Sequence, residues 1–185
     1  MASPVSFVNK PFKGTELYTP DDMPDIDYLV ISHDHWDHLD YNTVEKIKRP
    51  DWSSDLSVGV ATFDIGIDKS SLIELDWNED ANLAPGFMIH CLPARHFSGR
   101  GLTANQSLWA SFLLETPSQK IYIGGDGGYD THYAEIGNRF PDIDLAILEN
   151  GQYNEEWSLI HLMPQVYGTD GQRFKSEKSS DRTSF

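Results

Sequence analysis

The segment Ser32-His33-Asp34-His35-Trp36-Asp37-His38-Leu39-Asp40 constrains this chain more than any other, because it sets three imidazoles and three carboxylates within nine residues. It follows directly on Ile26-Asp27-Tyr28-Leu29-Val30-Ile31, a short run rich in β-branched and aromatic residues that reads as a largely buried strand. The polar cluster therefore sits where a strand ends. Alternate residues of an extended segment face one side, so His33 and His35 can point at one centre. Asp37 and His38 need the chain to turn, after which they can reach a second centre; two metals roughly 3.5 to 4 Å apart form a clamp for hydrolytic displacement. Imidazole with carboxylate suits zinc, and also iron or manganese. A solvated loop with chance histidines is the plain alternative, but three of the chain's 7 histidines fall within this one segment.

With 185 residues, of which 39% are hydrophobic, the chain is long enough to bury a core as one domain or part of a larger one. No apolar stretch approaches bilayer length, and Met1-Ala2-Ser3-Pro4-Val5 is not a basic segment leading into an apolar one. Cys91 is the single cysteine and cannot form an internal disulfide. That fits a reducing compartment, and a cytoplasmic location is the expectation. A formal net charge of -15 argues against broad nucleic-acid binding, which rests on a basic face. A small anionic substrate stays compatible, because bound cations reverse the local field.

Residues 1 to 25 hold Pro4, Pro11, Gly14, Pro20 and Pro24 and read as an irregular arm. Asp40 or Asn42 can cap a short helix through Val44, Ile47 and Lys48, stopped by Pro50. Strands are predicted at 56–63, 72–75, 87–92, 108–114, 120–123 and 143–148, with a helix near 133–138. This strand-rich order with interspersed helices favours sheets packed against helices.

Two later segments look like further ligand suppliers. In Pro93-Ala94-Arg95-His96-Phe97-Ser98-Gly99-Arg100 a histidine again follows a strand, flanked by arginines that could attract an anion. In Ile123-Gly124-Gly125-Asp126-Gly127-Gly128 an acidic residue stands between glycine pairs, which permit a tight turn and a close approach of Asp126 to a buried centre. Taken alone, each also fits an ordinary polar turn.

Together these motifs resemble the metallo-β-lactamase superfamily, whose His-x-His-x-Asp-His signature is present as His33, His35, Asp37 and His38. Pro93 to Arg100, the Gly125-Asp126 turn with Tyr129, Leu148-Glu149-Asn150-Gly151 and His161-Leu162-Met163-Pro164 resemble the branch containing N-acylphosphatidylethanolamine-hydrolysing phospholipase D. L-ascorbate-6-phosphate lactonase is a more distant relative. The similarity runs from about residue 4 to about residue 166. It implies an α/β, four-layer αββα sandwich. It also implies two zinc ions: one on His33, His35 and His96, the other on Asp37 and His38, with Asp126 bridging. Hydrolysis by a metal-bridged hydroxide is the implied mechanism, with Asp126 and His161 as catalytic residues. His161 would lie beside the substrate phosphate, where it or a metal-bound water protonates the leaving group. The implied substrate is a small-molecule or lipid phosphodiester.

Other polar residues take plainer readings. Arg95 and Arg100 either help hold a phosphoryl oxygen or form structural ion pairs. His90 reads as a packed or half-exposed strand residue, His132 as a cap or surface group at a helix start, and Asp34 as facing away or hydrogen-bonding a histidine. Glu74 to Asp80 reads as a solvated loop in which Trp77 could line a substrate mouth, and Cys91 as a small buried hydrophobe.

Against the family pattern, the chain reads as incomplete at both termini: an initial strand hairpin is missing, and no histidine follows His161 to complete the second metal site. Residues 1–167 read as a partial domain and 168–185 as a polar, disordered or non-native tail. Gly127 stands where this branch more often has Ser or Thr. The principal expectation is a metal-dependent phosphodiesterase. The alternative is a catalytically impaired fragment that binds one metal or partners only and self-associates through unpaired sheet edges. A nuclease of the same superfamily is disfavoured by the acidic balance.

Overall fold

The computed structural model describes residues 14, 17–47, 57–59, 72–150 and 153–166, with the backbone alone at 41 and 57–59. The predicted tail at 168–185, most of the predicted 56–63 strand and the helix stop at Lys48 to Pro50 lie outside these residues. The chain divides into two compact units. The first draws on Met1–Asp76 and Ser98–Trp109, the second on Trp77–Phe97 and Ala110–Phe185.

In the first unit, β1 (Leu29–Ile31), β2 (Ser57–Gly59) and β3 (Leu72–Glu74) form a parallel sheet in that order. Helix α1 (Tyr41–Ile47) follows β1. Of the two predicted caps Asp40 is the one used: its Oδ2 accepts from Thr43 N at 3.1 Å and Thr43 Oγ1 at 2.7 Å, and its carbonyl takes Val44 N–H at 3.0 Å. Ile31, Leu39 and Val44 bury together with Leu29 packed on them. The apolar residues on either side of the histidine segment thus anchor its two ends.

The second unit is built on a five-stranded sheet: β4 (Asp80–Ala84), β5 (Phe87–Leu92), β6 (Ser111–Glu115), β7 (Lys120–Ile123) and β8 (Leu145–Ile147), adjacent in that order. The first three pairings are antiparallel, and β7 with β8 is parallel. Helix α2 (His132–Arg139) fills the β7 to β8 crossover. It buries His132, Tyr133, Ile136 and Gly137, the one-face spacing of an amphipathic helix. Leu92, Leu113, Tyr122, Tyr133, Ile136, Phe140 and Leu162 form the core beneath it. Cys91 is fully buried, as expected.

Strand β4 departs from the sequence pattern, which reads as a loop through Asp80 and predicts no strand at 80–84. Asp-Ala-Asn-Leu-Ala has almost no β-branched or aromatic content, so its extended form comes from pairing with β5 rather than from propensity. Asp80 lies opposite His90, and its Oδ1 meets His90 Nδ1 at 2.6 Å. His90 is therefore a buried strand residue held between Asp80 and Glu115, whose Oε2 is 3.3 Å from its Nε2.

Candidate metal centre

The histidine segment folds by a local rule. After β1 the chain turns at residues 36–38, with His38 N–H and Leu39 N–H both donating to His35 carbonyl oxygen at 3.1 and 2.9 Å. The turn brings His38 back over His33, whose ring centroids lie 4.2 Å apart, while those of His33 and His35 are 4.5 Å apart. Ser32 Oγ is 3.0 Å from His33 Nδ1, and His33 Nε2 lies 3.0 Å from His35 Nδ1. Nitrogen ligands at about 2.0 to 2.1 Å from a tetrahedral zinc stand roughly 3.3 Å apart, so the pair is within a few tenths of an ångström of ligand geometry. Three imidazoles converge, His33 buried, His35 half-buried and His38 exposed; Asp37 is exposed on the same turn.

Arg100 and Gly99 hold this segment from behind. Arg100 Nη1 donates to the carbonyls of Asp34 (2.9 Å) and Leu39 (2.5 Å), and its guanidinium lies 4.0 Å over the Trp36 ring. Partial burial lowers the Arg100 pKa, opposed by the Asp34 and Asp40 carboxylates. Asp34 Oδ1 accepts Gly99 N–H at 2.7 Å. Asp34 thus ties the segment to the Gly99 backbone, in keeping with a side chain that faces away from the histidines.

In the second unit, four separate segments supply the polar groups. His96, just past β5, is buried and donates from Nδ1 to Ile160 carbonyl oxygen at 2.9 Å. That fixes the proton on Nδ1 and the lone pair on Nε2, the tautomer a histidine ligand needs. Asp126 sits in the glycine turn after β7. Gly125 there has φ +62, a region that favours glycine. Gly128 is pressed so closely on the neighbouring 159–160 backbone that an added Cβ would lie 2.2 Å from Leu159 carbonyl oxygen.

Glu149, one residue beyond the Leu148 that follows β8, is the group the sequence reading left without a role. Its side chain is only 5% exposed. Oε1 accepts Gly127 N–H at 3.1 Å and Leu162 N–H at 2.7 Å, and Oε2 meets His161 Nδ1 at 2.6 Å. Asp126 Oδ2 is 3.9 Å from the same nitrogen. The rings of His96 and His161 are 5.3 Å apart. Asp126, Glu149 and His161 each offer a ligand atom within 4.8 Å of the others. The 2.6 Å contact, however, is shorter than the roughly 3.3 Å between two ligands of one zinc and is a direct hydrogen bond. Two signals point at Glu149: it is an acidic residue closing an apolar run, the pattern that flags Asp126, and it belongs to the Leu148-Glu149-Asn150-Gly151 motif.

Two further expectations are settled by packing. Arg95 donates to Tyr129 carbonyl oxygen at 2.9 Å and pairs with Asp130 at 3.5 Å, so both arginines brace backbone. His132 is 8% exposed against the Tyr133 ring rather than a surface group, and burial lowers its pKa.

Residues 5–171 match the beta-lactamase superfamily domain. The chain belongs to the metallo-β-lactamase superfamily. An uncharacterized protein of Mycobacterium tuberculosis is 40% identical over 146 residues, covering 77% of this chain and 39% of that protein. The N-acyl-phosphatidylethanolamine-hydrolyzing phospholipase D 1 of Caenorhabditis elegans is 33% identical over 172 residues, covering 83% of this chain and 48% of the worm enzyme. The chain thus spans less than half the length of these relatives. A metallo-beta-lactamase fold protein of Bacillus subtilis aligns with TM-score 0.58 at 18% identity, over 80% of this chain and 61% of that one. This likeness shows the expected metallo-β-lactamase fold, in the lineage of metal-dependent hydrolases. Among the described residues, no helix is long and apolar enough to cross a membrane.

Proposed function

We propose that this chain carries the metal centre of a phospholipase D-like phosphodiesterase acting on a lipid phosphodiester. The observation that carries the reading is the convergence of His33, His35 and His38, with His33 Nε2 and His35 Nδ1 3.0 Å apart. The activity in the worm relative's name supports the substrate class. The residues that would hold metal are His33, His35, Asp37 and His38 in the first unit and His96 and Asp126 in the second. Zinc suits this donor set, which iron or manganese also satisfies. When bound, the metals supply Lewis acidity and bring the pKa of water toward neutrality. The chain's own part is to keep His96 in its Nδ1–H form through Ile160 and to hold Asp126 on its glycine turn. His161 then returns a proton to the leaving oxygen.

Elemental analysis together with phosphodiester hydrolysis tests this. The expectation is close to two metals per chain, with metal and turnover both lost in His35→Ala. One metal or none, without turnover, supports the binding-only alternative. A clear preference for a β-lactam or a lactone would overturn the phosphodiester assignment.

A further inference from the structure

We propose that Glu149 is a positioning residue that holds the proton on His161 Nδ1, so that all proton exchange by this imidazole takes place at Nε2. The inference rests on the reading of His161 as the group that protonates the leaving oxygen, and adds to it the residue that makes the ring one-directional.

The argument is the division of labour between the two Glu149 oxygens. Oε1 takes both backbone donors, Gly127 N–H and Leu162 N–H, while Oε2 faces His161 Nδ1 at 2.6 Å. A carboxylate only accepts, so the imidazole nitrogen facing it must donate. Burial of the Glu149 side chain keeps water from competing for Oε2 and strengthens a charge-assisted bond. The two backbone donors fix the carboxylate plane, since they come from segments on either side of it, the Asp126 turn and the His161 segment. With Nδ1 committed, the ring has one nitrogen left for chemistry. During hydrolysis the water oxygen bonds to phosphorus while its proton goes to His161 Nε2, and Nδ1–H stays on Glu149. As the bond from phosphorus to the leaving oxygen breaks, Nε2 passes that proton to the leaving oxygen and the ring returns to its starting state.

Glu149→Gln tests this directly, because the amide retains the shape and the Oε1 acceptor. Gly127 N–H and Leu162 N–H hold the amide oxygen in place, which turns the amide NH₂ toward His161 Nδ1 and forces that nitrogen to accept. Nitrogen-15 correlation spectra of ring-labelled protein read the tautomer without any substrate, the His161 signals being assigned by their disappearance in His161→Gln. The expected result is a protonated Nδ1 in the wild type and the Nε2–H tautomer in Glu149→Gln. A bare Nδ1 in the wild type, or an unchanged tautomer in the variant, would overturn the proposal. A purely structural Glu149 would alter stability and leave the tautomer alone.

Activity supplies an independent arm. With an alkyl phosphodiester, whose leaving alkoxide needs a proton, Glu149→Gln is expected to lose about 100-fold or more in kcat. With a p-nitrophenyl phosphodiester, whose phenolate leaves unaided, the loss is expected to be less than about threefold. Equal losses on both substrates would overturn the proton-transfer role. If the wild type hydrolyses neither ester, the phosphodiesterase reading fails, while the tautomer measurement still decides what Glu149 does to His161.

Discussion

The two sets of metal-competent groups are held by different physics. In the first unit His33, His35 and His38 are near neighbours in sequence, and one turn closed on His35 carbonyl oxygen suffices to gather them. In the second unit His96, Asp126, Glu149 and His161 come from four segments that meet only through the sheet and its crossover. A local cluster can keep its geometry through small changes in the surrounding fold. A cluster assembled from distant segments inherits every error in their packing, and this is where the chain has placed a buried carboxylate with three donors and a glycine in backbone contact.

The strongest way to break the comparison is Gly128→Ala. The added carbon would meet Leu159 carbonyl oxygen at 2.2 Å, and backbone cannot swing aside as a side-chain end can. A loss of about 3 kcal/mol or more is expected in urea unfolding of the metal-free protein. Metal binding at the histidine segment should survive in whatever fraction stays folded. Next comes Glu149→Ala, which strands two backbone N–H groups and the His161 donor, with an expected loss of about 2 to 3 kcal/mol. Glu149→Gln should lose under half of that, because the amide oxygen still serves both backbone donors.

For the first unit the corresponding change is Arg100→Met. It removes the donors to Asp34 and Leu39 carbonyls and the guanidinium over Trp36, while keeping much of the apolar stem. About 1 to 2 kcal/mol is the expected loss, read with hydrogen exchange. Faster exchange at His38 and Leu39 amides, with the second unit unchanged, would confirm that the segment is stapled from residue 100. Equal acceleration in both units would show that the histidine segment has no local stability of its own.

The same contrast governs what could be read from the sequence. β1, β5, β7 and α2 were legible because β-branched runs and helical spacing act locally, and the histidine signature because its chemistry is local too. The turn that carries Asp126 is legible because glycines frame it. Glu149 was not, since a single acid after Ile143 to Leu148 acquires its meaning only when Gly127, His161 and Leu162 arrive from elsewhere. Strand β4 was missed for the same reason: Asp80 to Ala84 extends because β5 pairs with it. Asp34 sits between ligand candidates yet answers to Gly99, a partner that residue spacing does not reveal.

The smallest expected effect is one of pH, and it separates buried from gathered histidines. His132 has its pKa lowered by burial and, to a lesser degree, by Arg95, against the opposing pull of Asp130 and Glu135. A histidine whose folded pKa lies below its unfolded value, about 6.5, takes up its proton first in the unfolded chain. Its contribution to stability is therefore complete above about pH 6.5 and falls as pH drops from there toward the folded pKa. Denaturation midpoints of the metal-free protein between pH 7.5 and 5.5 should decline more steeply in the wild type than in His132→Gln, the difference between the two curves isolating this group. Parallel curves would show that the ring at the start of α2 is hydrated enough to titrate as it does in the unfolded chain. Its burial against Tyr133 would then be steric rather than electrostatic.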